Sequence, residues 1–114
     1  MIRYLISPQI HTRIGWLLVT VVVILSLVPS VQVPQITDGY DDKLAHGLMY
    51  SGLMAWFAVL AQRSQWQRIA AWVFTLGAVL ECCQAILPYR TASVADVFAN
   101  GFGILFGVVA ALLL

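Results

Sequence analysis

Four long apolar stretches, packed into a chain of 114 residues, constrain this sequence more than anything else in it. They run over residues 14–28 ("IGWLLVTVVVILSLV"), 44–61, 69–87 and 94–114. A helix needs about 20 mostly apolar residues to cross a bilayer. Inside hydrocarbon every backbone polar group must be bonded within the segment, which leaves helices as the natural solution. The last three stretches reach that length. The first is short unless Thr12, Arg13 and Pro29 join it, yet Trp16, Arg13 and Pro29 punctuate it as interface residues do, so it too is expected to span. Only 10% of the residues are charged and 61% are hydrophobic, against about 25% charged in a soluble domain. The expected fold is all-α. It is a four-helix transmembrane bundle forming one domain over residues 1–114, with helices near 13–29, 43–62, 68–87 and 93–114.

The first stretch has a positive leader (Arg3, Arg13), but "SLVPSVQV" is a poor cleavage site, so an uncleaved helix is expected. Residues 1–12 mix polar and apolar groups and are expected along the membrane surface, with His11 a surface residue. The loops are 29–42, 62–68 and 88–93. Ser93 followed by Asp96 makes Ser93 the expected cap of the fourth helix. Arg3, Arg13, Arg63 and Arg68 fall on one side of the membrane, Lys43 and Arg90 on the other. This bias puts both termini in the cytoplasm and loops 29–42 and 88–93 outside.

A net charge of +1 without a basic run points to no nucleic-acid partner. Cys82 and Cys83 are adjacent, so their side chains diverge by roughly 100° on a helix. They are expected to be small buried apolar residues, with no disulfide between them. No metal-ligand spacing and no cofactor signature is present. Trp16, Trp56, Trp66 and Trp72 are expected mostly at the interface or facing lipid.

The few polar groups are concentrated. With the second helix starting near Asp42, the third ending at Pro88 and the fourth starting at Ser93, His46 and Gln84 lie roughly 6 Å inside and Asp96 roughly 5 Å. Glu81 and Asn100 lie roughly 10 Å in, and Tyr50 roughly 12 Å. Asp42, His46 and Tyr50 share one helix face, as do Glu81 with Gln84, and Asp96 with Asn100, Gly103 and Gly107. A carboxylate facing lipid is costly, so Glu81 and Asp96 must face the bundle interior or water. Three helices therefore deliver polar groups to one layer. The expected site is a polar cup open to the outside, with Lys43 and Arg90 at its rim. The plainer alternative is that these groups tie the helices together by hydrogen bonds of about 0.6 kcal/mol each. Gly47, Ser51 and Ala55, with Gly103 and Gly107, form small-residue ladders that let helices pack closely and seal the bundle.

These residues resemble the VanZ-like family of small membrane proteins. "DKLAHGLMYSGL" and "ECCQAILPYRTASVADVFANGFGILFG" are similar to its D-K-x-x-H, E-x-x-Q, P-x-R and D-x-x-x-N pattern. The likeness falls on Asp42, Lys43, His46, Tyr50, Glu81, Gln84, Pro88, Arg90, Asp96, Asn100, Gly101 and Gly103, within residues 42–107. Ala95 stands where a larger apolar residue is common in the family. The resemblance implies a bacterial cytoplasmic-membrane protein of the cell envelope, in a family associated with resistance to the glycopeptide teicoplanin.

Three functions compete. In the first, the cup holds the polar head of an amphipathic molecule, a lipid-linked wall precursor or a lipid-tailed glycopeptide. Arg90 and Lys43 would meet an anionic head there, while Glu81, Asp96 and Asn100 shape the pocket. In the second, an intramembrane enzyme uses Glu81 as general base and His46 as acid or metal ligand; the absence of H-E-x-x-H and of a nucleophile elbow weighs against it. In the third, an accessory subunit uses pairs such as Arg90 with Asp96 and Lys43 with Glu81 to fix helix register. An ion path is disfavoured, because the end of the fourth helix ("ILFGVVAALLL") is uninterrupted. Membrane lipids are the expected surroundings, and no oligomeric state follows from these residues.

Overall fold

A computed structural model describes residues 6–27, 40–88 and 93–114, with the side chains of 40–43 excepted. Four α-helices follow in order: α1 (Pro8–Leu27), α2 (Tyr40–Val59), α3 (Trp66–Ile86) and α4 (Val94–Leu113), with a short 3-10 turn (Arg63–Gln65) before α3. No strand occurs among the described residues.

The helix ends follow local chemistry. α1 starts at Pro8 rather than near 13, because Ser7 caps it. The Ser7 Oγ accepts from the Ile10 N–H at 3.3 Å and the Ser7 carbonyl from the His11 N–H at 2.9 Å. Proline in the first helical position is preset for the helical φ and lacks an N–H that would be unsatisfied anyway. Residues 8–12 are thus the first residues of α1. α2 stops at Val59, short of the expected 62. The Trp66 indole N–H donates to the Ala58 carbonyl at 2.9 Å and reaches that of Ala61 at 3.4 Å, occupying acceptors that a longer helix would need. α3 ends where the Leu87 N–H donates to the Gln84 carbonyl at 3.2 Å, one residue before Pro88. The Ser93 cap of α4 is as expected, with its Oγ accepting from the Asp96 N–H at 3.2 Å.

The helices run up and down alternately. Gln84 near the end of α3 bonds the Ser26 carbonyl near the end of α1, and His46 near the start of α2 meets Asn100 near the start of α4. At the opposite end the Trp56 indole donates to the His11 carbonyl at 3.0 Å and stacks on its ring, 4.6 Å between centroids. His11 is therefore buried against α2, not exposed at the surface. Trp56 and Trp66 are half-buried and packed within the bundle, whereas Trp16 and Trp72 are exposed as expected. Cys82 is exposed and Cys83 half-buried, both as free thiols, so neither is a core residue.

α2 is the central helix and packs against all three others, most extensively against α4. Tyr50, Leu53, Met54 and Ala58 are almost fully enclosed. The small-residue ladders do seal this pair. A Cβ built on Gly103 would collide with the Gly47 backbone, and one on Gly107 would lie 2.6 Å from the Ser51 carbonyl oxygen and from Met54 Cβ.

α1, α4 and the segment Arg63–Ile86 are each long and apolar enough to cross a membrane. Among the residues of α2 whose side chains are described, Leu44–Val59 is an apolar helix. The first helix reaches spanning length, as expected, because it begins at Pro8. The outside of the bundle is greasy, with Leu17, Leu48, Val79, Phe98, Phe102, Phe106 and Leu113 among the exposed residues, and the inside is where the polar groups sit. That inversion suits lipid, not water.

Candidate functional site

Six of the nine expected site residues are buried: His46 and Tyr50 on α2, Glu81 and Gln84 on α3, Asp96 and Asn100 on α4. The side chains of Asp42 and Lys43, and the whole of Arg90, lie outside the described residues. The ion pairs considered for Arg90 and Lys43 therefore lie outside them too.

Five of the six form one connected cluster. His46 Nδ1 lies 3.2 Å from Asn100 Oδ1, joining α2 to α4. Glu81 Oε1 accepts from the Ser93 N–H at 2.7 Å, which ties the end of α3 to the cap of α4. The Glu81 carboxyl also lies close to that of Asp96 and in electrostatic reach of His46. Tyr50 is in electrostatic reach of Glu81.

Gln84 departs from the cup. Its amide donates at 2.9 Å to the Ser26 carbonyl, so it fastens α3 to α1. Ser26 itself is buried, and its hydroxyl donates to the Val22 carbonyl at 2.7 Å. A polar contact at this depth replaces an otherwise unsatisfied amide in hydrocarbon.

Two contributors went unread in the sequence. Gly77 sits under the cluster, and a Cβ there would lie 2.8 Å from Asn100 Nδ2 and 3.1 Å from Tyr50 Cε1. The bare backbone is what lets both side chains lie against α3. Its spacing of four from Glu81 carried the signal, since i and i+4 share a face. The second is the Ser93 backbone N–H, which the loop before α4 presents to Glu81.

The cluster offers an acid–base pair of carboxyls, an imidazole and an amide, all backed by a phenol and walled by apolar helices. No group of three or more His, Cys, Asp or Glu side chains suited to a metal occurs among the described residues. The chemistry on offer is hydrogen bonding and proton transfer.

A family model described as VanZ/LLP1 matches residues 10–114, a longer range than the motif residues alone. No curated protein and no solved structure matches the chain.

Proposed function

From the premise that the chain belongs to the VanZ/LLP1 family of membrane proteins, we propose that it holds the polar head of an amphipathic envelope molecule at the outer face of the bacterial cytoplasmic membrane. The observation that carries this reading is the convergence of His46, Tyr50, Glu81, Asp96 and Asn100 from three helices into one buried cluster. Holding the helices together would need far less: a few interhelical hydrogen bonds of about 0.6 kcal/mol each do that. Intramembrane ionisable groups gathered at one depth are better explained by a ligand.

In this reading the head enters between the start of α2 and the α3–α4 connection, where Lys43 and Arg90 stand in the sequence. Their charges suit a phosphate or carboxylate. The apolar tail lies against the outer faces of the helices. The chain then crosses the membrane several times with both termini in the cytoplasm. A lipid-linked wall precursor or a lipid-tailed glycopeptide fits these requirements, and the latter connects to the family's association with teicoplanin resistance. A second reading, an intramembrane enzyme acting on a lipid-linked substrate, draws on the neighbouring Glu81 and Asp96 carboxyls beside His46, residue types that serve in acid–base catalysis.

Thermal unfolding of the protein in lipid nanodiscs tests the binding reading. A ligand present at a hundred times its dissociation constant stabilises the native state by about 2.7 kcal/mol. Teicoplanin should raise the midpoint of the wild type by about 5 °C or more, and that of Glu81→Gln by much less. An equal rise in both proteins, or none in the wild type, rejects this cluster as the glycopeptide's seat.

A further inference from the structure

At the end of the bundle away from the polar cluster, a groove of about 310 Å³ is lined by Trp16, Phe57, Arg68, Ile69 and Trp72. That is the low end of the range of small-molecule sites, about 300–1,000 Å³. Three rings build its wall. Trp16 meets Phe57 at 6.3 Å and Trp72 at 5.7 Å, and Phe57 meets Trp72 at 5.9 Å, all edge to face. Gly15 makes room for this, because a Cβ there would lie 2.7 Å from Phe57 Cζ. Trp16 and Trp72 remain 53% and 41% exposed, so the groove opens sideways onto the apolar exterior of the bundle.

The charge at this end has one sign. Arg13, Arg63 and Arg68 are exposed at the start of α1 and around the start of α3. The acidic residues within the helices all fall elsewhere: Asp41 and Asp42 open α2, Glu81 lies near the end of α3 and Asp96 opens α4. Arg63 is already engaged, its guanidinium lying 5.6 Å from the Trp66 ring. Arg68 lines the groove, and Arg13 precedes Trp16 by three residues on the same face of α1. An apolar slot open to lipid, lined in part by the stem of an exposed arginine, is complementary to one molecule class in a membrane, a lipid with a negative head.

We propose that this groove seats one acyl chain of an anionic phospholipid while Arg68 pairs with its phosphate. The arginine can engage two phosphate oxygens at once, and the tryptophan rings hold the chain near the interface, where such residues favour the membrane–water boundary. The site is separate from the polar cluster and does not depend on what that cluster binds.

Native mass spectrometry of the detergent-released protein, titrated with phosphatidylglycerol or with phosphatidylcholine of the same chains, tests this. The wild type should bind phosphatidylglycerol at least about fivefold more tightly, the effect of one basic residue near an anionic head. Arg68→Gln should bind both lipids alike, while Arg63→Gln should keep the preference. Inorganic phosphate should not displace the lipid, since it lacks the chain. Equal affinity for the two lipids in the wild type overturns the proposal without any variant being needed. So does a preference that survives in a folded Arg68→Gln, displacement of the lipid by inorganic phosphate, or a lipid-free dimer that buries the groove.

Discussion

A Gly103→Val variant is expected to lose most of the protein's folded stability, whereas Gly52→Ala in the same bundle should be neutral or mildly stabilising. At Gly103 the obstacle is backbone: a single Cβ would already collide with the carbonyl, carbonyl carbon and Cα of Gly47. No rotamer change relieves that, so α2 and α4 must move apart. Overpacking typically costs about 1–3 kcal/mol, and more where no side chain can yield. Valine adds two further methyl groups at the same spot, so a loss above about 3 kcal/mol is expected, against a total stability of about 5–15 kcal/mol. The damage should also reach the polar cluster, because His46 adjoins Gly47 and Asn100 lies one turn from Gly103. Gly52 is exposed and a Cβ there meets nothing within 4 Å. Alanine there should gain up to about 1 kcal/mol of helix propensity. Equilibrium unfolding in mixed detergent, followed by helical circular dichroism, reads both variants. Similar stabilities for the two would mean that the α2–α4 contact is not close-packed.

Glu81→Leu is expected to cost about 2–3 kcal/mol, and Glu81→Gln less than about 1 kcal/mol. An average interhelical hydrogen bond in a membrane contributes only about 0.6 kcal/mol, but Glu81 is not an average donor or acceptor. It accepts from the Ser93 backbone N–H at 2.7 Å and lies close to the Asp96 carboxyl, so leucine leaves the Ser93 N–H facing an apolar side chain and removes the polar neighbour of Asp96. Glutamine retains an amide oxygen for Ser93 and a polar group beside Asp96. What it removes is the carboxyl's capacity to exchange a proton. The same unfolding assay separates the two variants. Equal losses would show that charge, not hydrogen-bond geometry, holds Glu81 in place.

Much of this arrangement could be read from spacing. The α4 stripe of Asp96, Asn100, Gly103 and Gly107 is buried as the i, i+4 rule implies, and the Ser93 cap lies where Ser-x-x-Asp places it. Periodicity works here because each helix turns one face to the bundle. The start of α1 was misread because Ser7 and Pro8 precede a stretch rich in polar groups. Their cap-and-first-turn pattern outweighed that polarity once His11 found the ring of Trp56. The end of α2 was not legible in its own residues at all, because the Trp66 indole that occupies its last carbonyls belongs to the next helix. Gln84 was legible as buried but not as directed at Ser26, since a spacing gives a face and not a partner.

The central claim is that the cluster around Glu81 is the working part of the molecule rather than a fastening for its helices. Glu81→Gln is suited to test it, because the variant is expected to fold. The deciding measurement is the teicoplanin concentration that inhibits a sensitive host expressing wild type or Glu81→Gln at equal membrane levels. The account predicts that the wild type raises this concentration and the variant does not. Equal protection by the two proteins would contradict it, and so would a wild type that gives no protection.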